Sequence, residues 1–337
     1  MWQEIVDIIN EGNRFIITTH LFSEGDAIGS ELALKRFLCG INKDAVIVNN
    51  EALPAVYSCF DTDGDVKFLR NKDVNINLND FDAIFIVDVA DWGQLGDFAD
   101  MIKASSITKV CIDHHASNPG YADINIVDKD ASSAGELIFD LITFMNGKIT
   151  LETATPLYLS IATDTGWFKF SNTSAKALKA CSDLIKVGVK SEIIYEQLFQ
   201  TKQMSYLKLL NLALGILRPE CDGKVVWTKL TKDMIKSSGV PFVDTDVIID
   251  LVRAVKEVEV VILFREIGYR KTKVSFRSKH TVDVAELASD FGGGGHVRAA
   301  GASINEPIDT AIGNVISGVR EYCEDNEVCA SSVSNVS

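Results

Sequence analysis

The chain of 337 residues carries a formal net charge of −14 at pH 7, and 47% of its residues are hydrophobic. This length predicts two domains with substantial cores, and the acidic balance argues against a protein that coats long nucleic acid through a basic surface. Because no apolar run is long enough to span a bilayer and the first residues lack a secretory signal, we expect a cytoplasmic protein.

The first half of the chain alternates apolar strands with helices. Runs rich in β-branched residues predict strands at Phe15–Thr19, Ala45–Asn49, Ala83–Val89 and Lys109–Asp113. Helical periodicity predicts helices at Ile28–Leu38, Ser133–Met145, Leu151–Ala162 and Ser174–Val187. Continuous apolar strands between helices are typical of a parallel sheet covered on both faces. We therefore predict an α/β domain with a parallel sheet over residues 1–188.

The second half has a different pattern. A long helix over about 190–217 predicts a helical connector at residues 189–218, followed by a smaller α/β domain at 219–325. Strands are predicted at Lys224–Leu230, Val258–Phe264 and Lys271–Arg277, the last two paired antiparallel through a turn near Gly268. Helices are predicted near Asp246–Lys256, Val282–Phe291 and Ile308–Tyr322. The Ser- and Asn-rich residues 326–337 predict a disordered tail.

The seven cysteines form no Cys-x-x-Cys pair, and most lie in apolar segments. An odd number of scattered cysteines favours buried, reduced thiols over a disulfide framework. A zinc–thiolate site is not expected, because its ligands would have to be grouped.

Ionisable side chains with metal-ligand chemistry stand at or just after the ends of the predicted elements. They are His20, Glu24, Asp26, Asp88, Asp113, His114, His115 and Asp164. Because ligands collect at the carboxyl ends of strands in open α/β sheets, these side chains converge if their strands are neighbours. Taken alone, Asp164 is more often a helix cap, and His20 a hydrogen-bonded loop residue. The run Asp113-His114-His115 favours a metal site, because three ionisable groups are costly to bury unless paired or metal-bound.

Mixed carboxylate and imidazole ligands suit Mn²⁺ and, to a lesser degree, Mg²⁺, Fe²⁺ or Zn²⁺. Five or six such ligands exceed what one ion normally takes from protein, which favours two ions bridged by a carboxylate. Such a pair lowers the pKa of a water and stabilises charge on phosphoryl oxygens. The pattern therefore predicts a hydrolase of phosphoester bonds.

A second polar motif, Phe291–Gly301 (FGGGGHVRAAG), follows a predicted helix of the second domain. Glycines open backbone conformations that other residues avoid, and successive N–H groups can form an anion-binding nest. A flexible hinge is the alternative, but a hinge does not require His296 and Arg298 directly afterwards. Arg277 at the end of a strand could add a further guanidinium for phosphate.

These motifs together resemble the DHH phosphoesterase superfamily, which is named after the run at Asp113-His114-His115. His20–Ser30 resembles its first motif, Val87-Asp88 its second, and Ala162–Gly166 its fourth. Gly292–Gly301 resembles the signature of the DHH-associated C-terminal domain, which binds substrate. The resemblance covers roughly residues 5–320, with the motifs in the same order and at similar spacing.

The resemblance implies a role for each matching residue. One Mn²⁺ would be held by His20, Glu24 and Asp88, and a second by Asp26, Asp88, His114 and Asp164, with Asp88 bridging. The implied catalytic residues are His115, Asp88 and Asp113. The implied substrate-binding residues are Arg277, Ser278, Gly293, Gly294, Gly295, His296 and Arg298.

The two-domain length resembles the bacterial oligoribonuclease and 3′-phosphoadenosine 5′-phosphate (pAp) phosphatase branch of the superfamily. This implies hydrolysis of short RNA to 5′-mononucleotides or of pAp to AMP, with no tracking along long nucleic acid and no membrane partner. A phosphodiesterase or phosphatase for another small phosphate, such as a linear dinucleotide or polyphosphate, is an alternative. A homodimer is compatible with the sequence.

Two departures from the family pattern keep a non-catalytic nucleotide-binding protein open as another alternative. Ser23-Glu24 stands where the first motif usually has Pro-Asp. The extra methylene of glutamate moves the carboxylate by roughly 1.5 Å, close to one C–C bond. Gln94 stands where the second motif usually has arginine, which removes a positive charge.

Overall fold

The structure is a computed structural model that describes residues 2–70, 76–240 and 245–326. The chain divides into two compact units, Met1–Thr201 and Lys202–Ser337. Among the described residues, no helix is both long enough and apolar enough to cross a bilayer. The predicted disordered tail at 326–337 lies outside the described residues, except for Asn326.

The first unit is built on a six-stranded parallel sheet. Its strands are β1 (Arg14–Thr18), β2 (Asp44–Asn49), β3 (Val66–Phe68), β4 (Ala83–Val87), β5 (Thr108–Asp113) and β6 (Ile124–Val127). They lie in the order β3-β2-β1-β4-β5-β6, and every pair is parallel. The strand order reverses between β1 and β4, so a crevice opens there at the carboxyl ends of the strands. The predicted parallel sheet is confirmed, with β3 and β6 added to its two edges.

Helices cover both faces of this sheet. They are α1 (Gln3–Glu11), α2 (Gly25–Gly40), α3 (Asp97–Ala104), α4 (Ala134–Phe144), α5 (Leu151–Asp164), α6 (Ala175–Val187) and α7 (Ser191–Phe199). One core lies between the sheet and helices such as α2, α4 and α5, and a second lies on the face covered by α3. Side-chain oxygens of Ser133, Thr150 and Ser174 accept hydrogen bonds from the first turns of α4, α5 and α6.

The second unit is a mixed six-stranded sheet. Its strands are β7 (Arg218–Glu220), β8 (Val225–Leu230), β9 (Val260–Gly268), β10 (Lys271–Ser278), β11 (Gly294–His296) and β12 (Ala299–Ile304), in the order β11-β12-β10-β9-β8-β7. Its helices are α8 (Met204–Leu214), α9 (Lys232–Ser238), α10 (Asp246–Arg253), α11 (Val284–Ser289) and α12 (Ile308–Asp325). The predicted antiparallel pairing of β9 with β10 is confirmed, whereas β8 and β9 are parallel.

The single connector helix predicted over 190–217 is wrong, because two helices occupy this segment. Helix α7 ends at Phe199 and α8 begins at Met204, with polar residues 200–203 between them. Ile194 and Leu198 of α7 belong to the core of the first unit. Leu209 and Ala213 of α8 belong to a core of the second. The chain therefore breaks where its apolar residues change from one core to the other.

The expectation that the cysteines are buried, reduced thiols is wrong for several of them. Cys221, just after β7, forms a disulfide with Cys323 of α12, at a Cα–Cα distance of 6.4 Å. Cys39 and Cys59 are exposed, whereas Cys111 and Cys181 are buried free thiols. The paired residues are 102 positions apart in sequence, so no local spacing could indicate the pair.

Candidate metal centre

Three neighbouring strands of the first unit carry the predicted ligands to one place. His20 follows β1, Asp88 follows β4, and His114 follows β5. Because β4 lies between β1 and β5, their carboxyl ends meet at the crevice where the strand order reverses. Asp26 in the first turn of α2 and Asp164 at the end of α5 reach the same point. These five side chains thus come together from separate segments of the chain.

The Nε2 atom of His114 lies among three carboxylates. It is 3.4 Å from Asp26 Oδ2, 3.5 Å from Asp88 Oδ1 and 3.8 Å from Asp164 Oδ2. Two atoms that each lie roughly 2.0–2.2 Å from one ion are about 3–3.7 Å apart at ordinary ligand angles. These separations therefore fit the ligand shell of a divalent ion better than direct hydrogen bonds. The His20 Nε2 atom is 3.5 Å from the other oxygen of Asp88, Oδ2.

Asp88 has an uncommon backbone conformation and an incompletely bonded side chain. Its φ of +60° places it in the left-handed region, which few residues other than glycine adopt, although Asp tolerates it better than most. Its side chain is only 6% exposed, yet Oδ1 has no hydrogen-bond partner among the described residues. A buried carboxylate oxygen without a donor is costly unless a cation reaches it. This orphaned oxygen, beside a mixed nitrogen and oxygen donor set, fits a divalent metal ion.

Asp26, in contrast, is held by four donors. Its carboxylate accepts hydrogen bonds from the backbone N–H groups of Ala134 and Gly135, at 2.9 and 3.2 Å, in the first turn of α4. It also accepts bonds from the hydroxyls of Ser160, at 2.5 Å, and Ser30, at 3.0 Å. Helix N-termini and hydroxyls stabilise negative charge, so this network fixes one carboxylate orientation.

Sequence reasoning missed these supporting residues. Ser160 is 134 positions from Asp26 and reads as an ordinary polar residue within α5. A Cβ on Gly135 would lie 1.9 Å from the Ser160 hydroxyl, so the contact between α4 and α5 requires glycine there. Asn172 was also missed, and its amide donates to Asp164 Oδ2 at 3.2 Å and to the Ser132 carbonyl. The run Ser132-Ser133-Ala134-Gly135 at the start of α4 was the available signal.

Two histidines are oriented by bonds through their Nδ1 atoms. His115 Nδ1 donates to Asp113 Oδ1 at 2.7 Å, and Asn118 donates to the other oxygen of Asp113 at 2.7 Å. His20 Nδ1 donates to the Leu21 carbonyl at 2.6 Å. Both rings therefore leave Nε2 free for a metal or a substrate. Asp113 is fully buried, so its carboxylate contacts His115 and is not exposed to the cavity.

The pKa values of the cluster reflect its crowded negative charge. Burial and repulsion from Asp88 raise the pKa of Asp26 to about 7. Burial opposes charge on Asp88 as well, but the His114 and His20 imidazoles outweigh it and lower the pKa of Asp88. Burial disfavours the charged form of His114, yet the neighbouring carboxylates raise its pKa to about 10. The site therefore stabilises positive charge at its centre, which a divalent cation can supply in place of protons.

The two departures from the family pattern occupy different positions. Glu24 is exposed at the rim of the cavity, just before α2. Gln94 also lines the cavity, and its Oε1 accepts from the Ala90 N–H at 2.6 Å. Its carbonyl accepts from Leu21 N–H at 2.7 Å, so Gln94 ties the loop after β4 to the loop after β1. Gln94 thus stabilises the two loops that carry Asp88 and His20.

The glycine run of the second unit does not form the predicted nest. The N–H groups of Gly292 and Gly293 bond to Ser289 and Ala288 carbonyls and end α11. Residues Gly294–His296 form the edge strand β11, paired antiparallel with β12. A Cβ on Gly293 would lie 2.2 Å from the Gly301 carbonyl oxygen, so close packing explains this glycine. Gly294, Gly295 and His296 are exposed on this edge strand.

The other predicted substrate residues of the second unit differ in their accessibility. Ser278 is buried and its hydroxyl donates to the Val282 carbonyl at 2.7 Å, so the expectation that it binds substrate is not supported. Arg277 is paired with Asp246 at 3.2 Å. Arg298 is exposed, and one of its nitrogens donates to the Val282 carbonyl at 3.1 Å. Arg298 and His296 are therefore the most accessible donors of this motif.

The predicted ligands of the first unit, except His114, line a cavity of about 400 Å³. Its polar wall contains His20, Glu24, Asp26, Asp88, His115 and Asp164. Four aromatic residues also line it, Tyr57, Trp167, Phe170 and Phe199. The volume suits a small molecule of nucleotide size rather than a folded partner.

Comparisons with known proteins agree with this architecture. Residues 14–161 match the DHH family, N-terminal domain, and residues 223–325 match the DHHA1 domain. The bifunctional oligoribonuclease and PAP phosphatase NrnA of Thermus thermophilus is 31% identical, over 90% of this chain and 89% of its own length. A crystal structure of an exopolyphosphatase-related protein from Bacteroides fragilis shares the fold, with 24% identity, a TM-score of 0.86 and 96% of each chain covered. The exonuclease RecJ bound to manganese shares it more distantly, with 12% identity, a TM-score of 0.50 and coverage of 95% and 93%.

Proposed function

The chain belongs to the DHH family, and from this premise we propose that it is a metal-dependent phosphoesterase acting on short oligoribonucleotides and on pAp. Its products would be 5′-mononucleotides and AMP, and it would act in the cytoplasm on small substrates. The observation that carries the proposal is the convergence of Asp and His side chains around His114, next to Asp88 Oδ1, which has no hydrogen-bond partner in the described part of the chain. The relative from Thermus thermophilus, which spans most of the chain, supports the choice of substrates.

The residues present would hold two Mn²⁺ ions. His114 and Asp88, with Asp26 and Asp164, would bind one ion, and the other oxygen of Asp88 would bind the second with His20 and Glu24. The mixed nitrogen and oxygen donors suit Mn²⁺, and the manganese bound to RecJ supports this choice. Bound ions would supply Lewis acidity toward a phosphoryl oxygen and lower the pKa of a water.

Residues around the ligands would orient the reacting groups. Asp113 fixes His115 through Nδ1, so that His115 Nε2 can pass a proton to the leaving oxygen. The four donors to Asp26 hold its carboxylate in place while substrate binds. In the second unit, Arg298 and His296, with Arg277, would bind substrate phosphate.

The test uses a labelled RNA dinucleotide and pAp as substrates, first with Mn²⁺ and then with EDTA. We expect Asp88→Asn to abolish Mn²⁺-dependent hydrolysis, with a larger loss than the roughly 10–100-fold caused by removing an outer partner of a metal ligand. The matched control is Asp91→Asn, three residues away. The amide oxygen introduced by this control can still accept the capping bond from the Gly93 N–H, so activity should change less than about twofold.

Binding of Mn²⁺ to both variants should be measured by calorimetry alongside hydrolysis. Asp88→Asn should weaken binding strongly, while Asp91→Asn should bind like the wild-type protein. Hydrolysis that persists in EDTA, or that survives Asp88→Asn, would contradict the proposed metal-dependent mechanism. Tight nucleotide binding with no hydrolysis under any divalent ion would favour the binding-protein alternative.

A further inference from the structure

The loop after Asp164 has an unusual backbone. Gly166, Trp167 and Phe168 have consecutive φ values of +56°, +58° and +66°, all in the left-handed region. Glycine adopts this region freely, but two successive aromatic residues do not. Strain of this kind persists only where the surroundings fix it, and it is concentrated at ligand sites.

Thr165 fixes the loop in this strained form. Its hydroxyl is fully buried, donates to the Ile161 carbonyl at 2.6 Å and accepts from the Phe168 N–H at 3.3 Å. Its carbonyl accepts from the N–H groups of Lys169, at 3.1 Å, and Phe170, at 3.0 Å. The loop is therefore a closed, hydrogen-bonded turn, and the side chains that follow are held in defined positions.

The strained turn places the ring of Phe170 against the backbone of Gly166. A Cβ on Gly166 would lie 2.4–2.7 Å from three atoms of that ring, so only glycine permits the contact. Despite this contact, Phe170 remains 52% exposed, and its ring lines the cavity of the metal centre. The ammonium of Lys169 lies 5.2 Å from the ring centroid. The position of the ring is thus fixed, while about half of the residue remains exposed to solvent.

Trp167 extends the same aromatic wall. It packs edge-on against Tyr195 and Phe199, with ring centroids 5.0 and 5.6 Å apart. Phe199 is itself 47% exposed and lines the cavity together with Trp167. The indole Nε1 of Trp167 is buried without a hydrogen-bond partner among the described residues. The Phe170 ring carries no hydrogen-bonding group, so this wall suits a flat apolar group.

We propose that Phe170, together with Trp167, is a stacking platform for the nucleobase attached to the phosphate at the metal centre. This proposal rests on the proposed function, which places a nucleotide phosphate among the Asp and His ligands. The platform and those ligands line one cavity of about 400 Å³, so the occupant carries a phosphate and a flat ring together. Aromatic stacking tolerates any base, because every base has a π-face. Lys169 would add a cation near the same nucleotide.

The first test compares pAp with ribose 3′,5′-bisphosphate, which has the same two phosphates but no base. We expect Phe170→Ala to raise KM for pAp about tenfold, with kcat nearly unchanged, because loss of one stacking ring costs about that much affinity. The KM for the bisphosphate without a base should not change. Phe170→Tyr should behave like the wild-type protein, because the ring remains. The matched control is Phe144→Ala, an equally exposed ring at the end of α4 outside the cavity.

The second test measures binding without turnover. Adenosine carries no phosphate, so its binding does not need the metal site. We expect adenosine to quench the fluorescence of Trp167, with the signal lost in Trp167→Phe and the Kd about tenfold higher in Phe170→Ala. Equal effects of Phe170→Ala on both bisphosphates, or adenosine binding unaffected by it, would overturn the platform.

The two tests separate the platform from the proposed function. A protein that hydrolyses neither bisphosphate but still binds adenosine through Phe170 would overturn the function and retain the platform. A protein that hydrolyses both bisphosphates equally well, with no response to Phe170→Ala, would retain the function and overturn the platform.

Discussion

The two units differ in how far their candidate functional residues are exposed to solvent. In the first unit, Asp26 and Asp88 are each 4% exposed and sit within a dense polar network. In the second, Gly294–His296 and Arg298 are exposed at a sheet edge and a neighbouring turn. Burying charge is costly unless every group has a partner. The candidate metal ligands of the first unit are therefore held in a buried network, whereas the candidate donors of the second unit are exposed to solvent.

Glycine illustrates the same difference. Gly135 is buried where α4 meets α5, and its missing side chain leaves room for the Ser160 hydroxyl that bonds Asp26. Gly294, in contrast, has no atom within 4 Å of the place where a Cβ would stand. Substitutions of these glycines should therefore lower the stability of the first unit. In the second unit they should lower substrate affinity or have no effect.

The largest effect is expected for Gly135→Ala. The new methyl group would lie 1.9 Å from the Ser160 hydroxyl and 2.5 Å from its Cβ, so α4 and α5 must move apart. We expect the free energy of unfolding to fall by at least about 2–3 kcal/mol, at the upper end for overpacked cores. We also expect weaker Mn²⁺ binding, because Ser160 bonds the ligand Asp26. Urea unfolding would measure the loss of stability, and calorimetry on the same samples would measure the loss of Mn²⁺ affinity. Unchanged stability together with full metal binding would show that the contact between α4 and α5 is not rigid.

A smaller effect is expected for Ser160→Ala, which removes the 2.5 Å hydrogen bond to Asp26 without adding volume. Asp26 retains its backbone donors from Ala134 and Gly135, so the fold should persist. Loss of such an outer partner typically weakens metal affinity by roughly 10–100-fold. Mn²⁺ calorimetry would measure this loss, with Ser289→Ala in the second unit as the matched control, because its hydroxyl bonds only a backbone carbonyl. Equal Mn²⁺ affinity in the two variants would contradict a supporting role for Ser160.

In the second unit, Arg298→Ala should change substrate affinity rather than chemistry. Arg298 is exposed and makes one bond to the Val282 carbonyl, so its loss should barely affect folding. We expect KM for pAp to rise about tenfold, the value of one charge-assisted bond to phosphate, with kcat changed less than about threefold. Steady-state kinetics of Arg298→Ala and of Arg253→Ala would measure the difference, because Arg253 is a partly exposed arginine of the same unit and is paired with Asp250. A large fall in kcat at constant KM would instead place Arg298 among the reacting groups.

The sequence predicted the candidate metal ligands best where they directly follow an apolar strand. His20, Asp88 and His114 each follow an apolar run, and parallel pairing alone brings the ends of such runs together. Their convergence was therefore predictable from strand periodicity and from the run at Asp113-His114-His115. The short edge strands β3 and β6 were missed, because runs of three and four residues give little periodic signal.

Contacts between distant segments were not predictable. The donation from Ser160 to Asp26 spans 134 residues, and the Cys221–Cys323 disulfide spans 102. Neither contact leaves a local pattern, because each depends on which helices pack together. The glycine run was predicted as an anion-binding nest, but its residues continue into strand β11. This strand forms because β12 lies beside it, and the local sequence does not show that pairing. The aromatic residues after Asp164 were not singled out, since their strained backbone is visible only in the fold.

The smallest effect is expected for Gly313→Ala, which applies the substitution made at Gly135 to the second unit. Gly313 lies inside α12, is exposed, and has no atom within 4 Å of an added Cβ. Its φ is not in the left-handed region, so alanine adopts the same backbone and restricts the unfolded chain more than glycine does. We expect the free energy of unfolding to rise by about 0.5–1 kcal/mol, with no change in Mn²⁺ affinity. Urea unfolding monitored at the second unit would detect this gain. Because the chemical change is identical at Gly135 and Gly313, opposite signs would show that packing around the glycine decides the outcome. If both substitutions lower the stability, packing around the glycine does not distinguish the two units.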